Sequence, residues 1–149
     1  VKIREYKTHD IPKILELCTQ LGYSTDPKGL EIRLKEISKD PTRKFFVSTD
    51  DQDNVLGWIH VWGMLQVESA GNAQIAGLVV DEVVRGQGHG RALISHAENW
   101  ARENGYQSLY LLSRIQREGA HRFYEKMGFK NYKTSYAFAK ELETNINNR

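Results

Sequence analysis

The sequence predicts an α+β fold, one sheet with helices on both faces, its elements running β, α, α, β, β, β, α, β, α, β, β. Three observations carry that reading. Apolar residues recur at helical spacing in several stretches, runs rich in β-branched and aromatic residues lie between them, and glycine or proline marks most of the junctions. With 149 residues, 40% of them hydrophobic and 27% charged, the chain is expected to form a single domain, residues 1–149, around one core.

Lys2–Tyr6 alternates loosely and reads as the first strand. Asp10 is a good helix N-cap with Pro12 in the first turn, and Ile14, Leu17, Cys18 and Leu21 then form one apolar stripe ending at Gly22. Asp26 and Pro27 repeat the start signal, with Leu30, Leu34 and Ile37 as the stripe until Pro41 forbids further helix. Lys44–Thr49 and Val55–Leu65 read as a hairpin across a turn-rich segment. In its second strand Trp58, His60 and Trp62 share one face, Ile59 and Val61 the other. Ala73–Val80 is apolar enough for burial on both faces. A turn holding Gly86, Gly88 and Gly90 leads into a helix that reaches about Asn104, with Leu93, Ala97, Trp100 and Ala101 as its buried stripe and Gly105 as its stop. Ser108–Leu112 is the next strand and Arg117–Met127 the last helix, stopped by Gly128. Two closing strands are expected at Phe129–Tyr132 and Tyr136–Lys140, and the asparagine-rich end, Glu143–Arg149, is expected to fray.

Composition removes several classes of function. The 21 Lys and Arg against 19 Asp and Glu leave a formal charge of +2, too little to grip a polyanion, so no nucleic-acid partner is expected. No apolar run approaches the roughly 18 residues of a membrane span, and V-K-I-R-E-Y-K lacks the apolar stretch of a signal peptide. The expectation is a cytoplasmic protein with no membrane partner. One cysteine and five scattered histidines offer neither a disulfide nor the spaced ligand pairs of a zinc site, so no metal is expected.

The most informative stretch is L-V-V-D-E-V-V-R-G-Q-G-H-G-R, Leu78–Arg91. Three glycines at alternate positions between a strand and a helix allow a tight turn. They leave amide N–H groups converging at the positive end of the helix dipole, a natural spot for phosphate. Arg85 and Arg91 flank it, a combination that a plain flexible turn rarely needs. The dinucleotide pattern G-x-G-x-x-G fails because position 91 is arginine, and the Gly-Lys pair of a P-loop is absent.

What the stretch does contain is R-x-x-G-x-G, Arg85–Gly90, and here the chain resembles the GNAT (Gcn5-related) N-acetyltransferase superfamily. A second family-like segment, A-H-R-F-Y-E-K-M-G-F at Ala120–Phe129, follows about one β-α-β unit later, and the order of elements matches over nearly the whole length. The resemblance implies a central mixed, mostly antiparallel sheet of about six to seven strands, with acetyl-CoA as co-substrate and no metal. It implies that the amides of Gln87, Gly88, His89, Gly90 and Arg91, in the turn begun by Arg85 and Gly86, hold the coenzyme pyrophosphate. The backbone of Leu78, Val79 and Val80 would run beside the pantetheine arm. Ser113 stands where relatives often have an asparagine that touches the arm, and Ala120 and Phe123 are further coenzyme-site positions. Relatives often pair through C-terminal strands or helices, so a homodimer with Tyr136–Lys140 as its edge is also implied.

Direct attack of an amine on a thioester, in a ternary complex, needs a neutral amine, a donor for the oxyanion and a proton for the leaving thiolate. A strand N–H near Val80 can meet the second need. Tyr124 matches the family's tyrosine for the third. A phenol with a reference pKa of about 10 stays protonated at neutral pH, although spacing alone would equally make Tyr124 a core side chain beside Phe123. Many relatives carry a glutamate base in the strand before the loop, but the polar residue here is Gln74, and an amide takes no proton. His60 and Glu68 are the remaining base candidates, with a sheet histidine and a solvated loop carboxylate as their plainer readings. Trp58 and Trp62 are cleft walls or sheet core, Cys18 is core, and His121 and Arg122 face coenzyme phosphates or solvent.

The expected function is an acetyl-CoA-dependent N-acetyltransferase acting on a primary amine of a small molecule. The alternatives are a peptide or protein amine acetyltransferase and a non-catalytic coenzyme A-binding regulatory module. An open acidic groove would favour a peptide, and a closed pocket with a few carboxylates a small amine.

Overall fold

The structure of the chain, a computed structural model, describes residues 1–143; residues 144–149 of the end expected to fray lie outside the described residues. Val1–Leu112 is one compact unit and a second begins at Ser113. The first contains β1 (Lys2–Glu5), a 3-10 turn (Thr8–Asp10), α1 (Ile11–Leu21), α2 (Pro27–Lys39), β2 (Arg43–Thr49) and β3 (Val55–Met64). It continues through β4 (Asn72–Val80), a second 3-10 turn (Glu82–Val84), α3 (His89–Glu103) and β5 (Leu109–Leu111). The sheet order is β1-β2-β3-β4-β5, antiparallel throughout except for the parallel pair of β4 and β5.

Strand alternation sorts the two faces. Phe45, Val47, Trp58 and Val79 point to one side and join Ile14, Leu17, Leu30 and Leu34 of α1 and α2 in one cluster. On the other side the Phe46 ring meets His96 of α3 edge-on at 4.4 Å, and His89 Nδ1 lies 3.0 Å from Ser48 Oγ. Leu93, Ile94 and Ala97 of α3 are fully buried. Helices therefore cover both faces, and each fully buried leucine or isoleucine side chain contributes about 1.5–3 kcal/mol by leaving water.

Helix starts show local and distant chemistry in competition. Asp26 caps α2 as its sequence implies, accepting from the Gly29 amide at 2.9 Å with Pro27 behind it. Asp10 does not cap α1. Its buried carboxylate accepts from Arg4 at 2.7 and 3.1 Å and from the Lys7 amide at 2.7 Å. Burial opposes ionisation of Asp10, but those donors outweigh it and hold the carboxyl below the usual aspartate range.

In the second unit α4 (Glu118–Lys126) keeps Ala120, Phe123 and Tyr124 half-buried along one side, with Met127 just beyond its end. It closes at Gly128, where the Phe129 amide donates to Tyr124 O and the Gly128 amide to Glu125 O, both at 3.0 Å. The closing strands expected at Phe129–Tyr132 and Tyr136–Lys140 are not formed, so the described sheet has five strands rather than six to seven. Alternating aromatics raise strand propensity, but a strand exists only through a partner's ladder. Here Tyr136 and Phe138 stand 91% and 94% exposed, and the edge expected to meet a second copy is absent as a strand.

Candidate active site

The site is built on the second half of β4. Pairing with β5 covers only Ala73, Gln74 and Ile75, opposite Leu109, Tyr110 and Leu111, and then stops. On its other side β4 follows β3 to Val80, with the register shifting between His60 and Val61 so that Ala76 is the extra residue. The burial expected on both faces of β4 therefore fails beyond Ile75: Ala76 is exposed and Gly77, Leu78 and Val80 are only half-covered. The Asp81 amide donates to Leu56 O across β3 at 2.8 Å. Strand alternation then turns the backbone groups of Leu78 and Val80 toward the side that β5 has left, while those of Val79 face β3. Of the three residues expected beside a pantetheine arm, Leu78 and Val80 present an open edge and Val79 does not.

That edge runs into the glycine turn. Gly86 and Gly88 have φ of +82° and +95°, values that glycine adopts freely, and neither would bring a Cβ within 4 Å of another atom. Gly88 is the N-cap of α3, whose first intrahelical bond is Ala92 N–H to Gly88 O at 3.0 Å. The amides of His89, Gly90 and Arg91 consequently have no intrahelical acceptor and sit at the positive end of the dipole. Gln87 is different, since its amide is engaged with Val84 O at 3.3 Å. The His89 side chain is also withdrawn, being buried against Ser48, so only its amide remains for a ligand. Arg85 and Arg91 are exposed beside the turn, and among the described residues neither has an ion-pair partner.

A latch that sequence reasoning missed holds the turn. Asp81, 4% exposed, pairs with Lys13 Nζ of α1 at 2.7 Å and accepts from Gln20 at 3.3 Å and from the Val83 amide at 3.3 Å. Gln20 in turn accepts from the Glu82 amide at 3.0 Å. Lys13 holds the Asp81 carboxyl below the ordinary aspartate range. Nothing local to Asp81 in the sequence names partners more than 60 positions away.

A cleft of about 870 Å³ opens on the α1 and α2 face and reaches Ala76 and Gly77, where β4 loses β5. Trp58 and His60 line it beside them. A Cβ on Gly77 would stand 2.8 Å from Trp58 Cζ3, so the absent side chain is what lets the indole lie across β4. His60 Nε2 is buried without a hydrogen-bond partner. Burial, reinforced by the positive charge of Arg43, pushes its pKa down to about 4. A neutral imidazole that weakly basic is ill-suited to take a proton from an ammonium group. Glu68 lies exposed in the connection from β3 to β4, at the opposite end of β4 from the glycine turn. The structure does not bring it to His60 or to the cleft lining. Gln74 is engaged by Trp62 Nε1 at 3.1 Å.

In the second unit, Tyr124 packs its half-buried ring on Phe123 and, edge-on, on Phe129 at centroid distances of 5.6 and 6.0 Å. Burial pushes its phenol pKa up, against a smaller opposite effect of Arg117, so it remains a proton donor at neutral pH. His121 Nε2 is 2.8 Å from Arg114 O, and Ser113 Oγ has no hydrogen-bond partner among the described residues. Among the described residues no group of three or more His, Cys, Asp or Glu side chains could hold a metal ion, and no helix is long and apolar enough to cross a membrane.

The model of the acetyltransferase (GNAT) family matches residues 8–129. The uncharacterized N-acetyltransferase YhdJ of Bacillus subtilis (strain 168) is 45% identical over 69 residues, 46% of this chain; the match spans about half, 47%, of that curated relative's length. A transcriptional regulator from Bacillus halodurans C-125 superposes with a TM-score of 0.81 at 26% identity, over 94% of this chain and 99% of its own. AAC(6')-Iy, solved with the bisubstrate analog CoA-S-monomethyl-acetylneamine, shares the fold with a TM-score of 0.82 at 15% identity, over 95% of this chain and 98% of its own. With the family model spanning the first helix, the glycine turn and the tyrosine helix in one continuous match, the chain belongs to the GNAT acetyltransferase family.

Proposed function

We propose that the protein is an acetyl-CoA-dependent N-acetyltransferase acting on a primary amine of a small molecule. The observation that carries this reading is one continuous track in the first unit. It runs from the open amides at the start of α3, along the unpaired edge of Val80 and Leu78, to the cleft at Gly77 and Ala76. The amides with Arg85 and Arg91 suit a pyrophosphate, and the edge suits an extended amide-bearing arm that pairs as a strand would.

Bound acetyl-CoA would supply an activated carbonyl: the amine N–C bond forms, the C–S bond breaks, and the sulfur leaves with a proton. The chain's own part is to offer an edge N–H to the developing oxyanion and to hold a proton on Tyr124. Cys18 is not needed. Burial raises its thiol pKa, which suits a core side chain better than an acyl-accepting thiolate. A small-molecule acceptor is supported by the fold shared with AAC(6')-Iy, whose bound analog joins coenzyme A to an acetylated small amine. A cytoplasmic location, where acetyl-CoA is used, goes with this proposal.

Thiol release from acetyl-CoA with a panel of polyamines, amino sugars, amino acids and short peptides tests it. Saturable turnover with at least one small amine is the expected result. Turnover confined to peptides would transfer the assignment to protein acetylation, and tight coenzyme binding without turnover would favour a regulatory module.

A further inference from the structure

Resting on the acetyl-transfer reading, the charges lining the cleft narrow its acceptor. They are Arg33, Lys39 and Arg43 against Glu36 and Asp40. Both carboxylates are already engaged, Glu36 with Lys39 at 3.6 Å and Asp40 with Arg43 at 3.2 Å. Asp40 also accepts from the amide and hydroxyl of Thr42 at 2.9 and 2.7 Å. Arg33 is left over. Among the described residues it has no ion-pair partner, and Asp26, which flanks the same glycine, gives its oxygen to the Gly29 amide. Leu21, Leu30, Phe45 and Trp58 give the cleft an apolar wall, beside the neutral polar Ser24, Thr25 and His60.

A polycationic acceptor would find no unpaired carboxylate among the lining residues, and would meet three cations there against two anions, with Arg33 in no ion pair. A carboxylate would find in the Arg33 guanidinium a planar donor fork matched to its own geometry. We propose that the acceptor is an amine that also carries a carboxylate on an apolar body, the chemistry of a free hydrophobic amino acid or an ω-amino acid. Arg33 holds the carboxylate and determines specificity, while the amine lies toward Ala76 and Gly77.

The test uses two matched pairs that differ in the carboxylate: L-phenylalanine with its amide, and 6-aminohexanoate with hexylamine. Thiol release at saturating acetyl-CoA is measured for each, and calorimetry follows binding of the same four compounds to the coenzyme A-loaded protein. In at least one pair the carboxylate member is expected to be favoured tenfold or more in kcat/KM. Arg33→Gln should remove that preference mainly through the acceptor KM, leave the acetyl-CoA KM unchanged, and be partly rescued by Arg33→Lys. Arg33 is exposed, so its loss does not threaten the fold. Equal or better use of the amide and hexylamine, preference for an amino sugar such as kanamycin, or indifference to Arg33→Gln overturns the inference while leaving acetyl transfer standing. If neither these four nor the wider amine panel turns over but the carboxylates bind in an Arg33-dependent way, the acetyl-transfer reading fails and the carboxylate site survives. Absence of both binding and turnover for both pairs overturns the inference as well.

Discussion

Gly88 offers the sharpest test of the phosphate turn, because the structure separates its steric role from its conformational one. A Cβ at this position meets nothing within 4 Å, so the first side-chain carbon of Gly88→Val introduces no clash. The penalty lies in the backbone, at φ +95° and ψ 0°. A left-handed conformation costs a non-glycine residue roughly 1–2 kcal/mol, and a β-branched side chain at a φ well past the usual left-handed centre of about +57° raises this to about 2–3 kcal/mol. The turn can shed most of that strain by relaxing on its N-terminal side, since Arg85, Gly86 and Gln87 are exposed and the Gln87 amide bond to Val84 O is long, at 3.3 Å. Relaxation turns the amides of residues 88–91 away from their common point, and a bound pyrophosphate must restore them.

The strain is then charged to binding rather than to folding. At 1.4 kcal/mol per tenfold, coenzyme affinity should fall by about tenfold to a hundredfold, while global stability drops by less than about 1 kcal/mol. Calorimetric titration with coenzyme A measures the first and urea unfolding the second, with Gly88→Ala expected to be milder on both. A dissociation constant within about twofold of wild type, with unfolding unchanged, would refute the assignment of these amides to the pyrophosphate.

Asp81→Asn should destabilise the chain by about 1–3 kcal/mol in urea, because Lys13 loses the closer of its two charged partners and keeps only Glu16, at 3.2 Å. The pair of Asp81 with Lys13 makes stability fall in acid: with the folded Asp81 carboxyl depressed, its contribution is complete above about pH 4 and disappears as pH drops through the lower folded value, whereas Asp81→Asn should flatten that part of the profile. Gly77→Ala places a methyl 2.8 Å from Trp58 Cζ3, so a melting-temperature loss equivalent to about 1–3 kcal/mol is expected, together with a larger change in acceptor KM than in acetyl-CoA KM; an unchanged melting temperature would mean the indole moves freely. Tyr124→Phe keeps the ring on Phe123 and Phe129 and removes only the hydroxyl, so kcat should fall by roughly tenfold to a thousandfold with little change in acetyl-CoA KM. Survival of kcat with a lowered melting temperature would make it a packing residue.

Features encoded over a few neighbouring residues were legible before the structure was known. The Asp26–Pro27 start of α2, the stripe of α3 and the glycine turn all lie where their local patterns place them. Features set by a partner across the fold were not. Asp10 carries every mark of a cap, yet Arg4 claims its carboxylate, and the aromatics at Tyr136 and Phe138 look strand-like but find no ladder. In the candidate site the same division holds. Gly88 and Arg91 follow from the motif, whereas the exclusion of Val79 depends on the parity of one hydrogen bond from Asp81 to Leu56. The extra residue at Ala76 has no composition signal, because A-G-L-V-V would serve a regular strand equally well. Arg33 escaped notice for a related reason: on a helix surface it reads as solvated until the cleft and the pairing of its neighbours are known.

The open edge of β4 also bounds what the glycine turn can do alone. Among the described residues the backbone groups of Leu78 and Val80 have no strand partner on the β5 side, and a ligand that bonds them gains about 0.5–1.5 kcal/mol net per hydrogen bond. Those two residues carry up to four such groups, equivalent to about 2–6 kcal/mol if all are used. A coenzyme held by both edge and turn keeps the edge contribution when the turn is disturbed. Substitution at Gly88 should accordingly weaken binding without abolishing it, and a coenzyme fragment lacking the pantetheine arm should be far more sensitive to that substitution in relative affinity than to any change along β4. If the fragment and the whole coenzyme lost affinity equally to a β4 substitution, the edge would not be holding the arm.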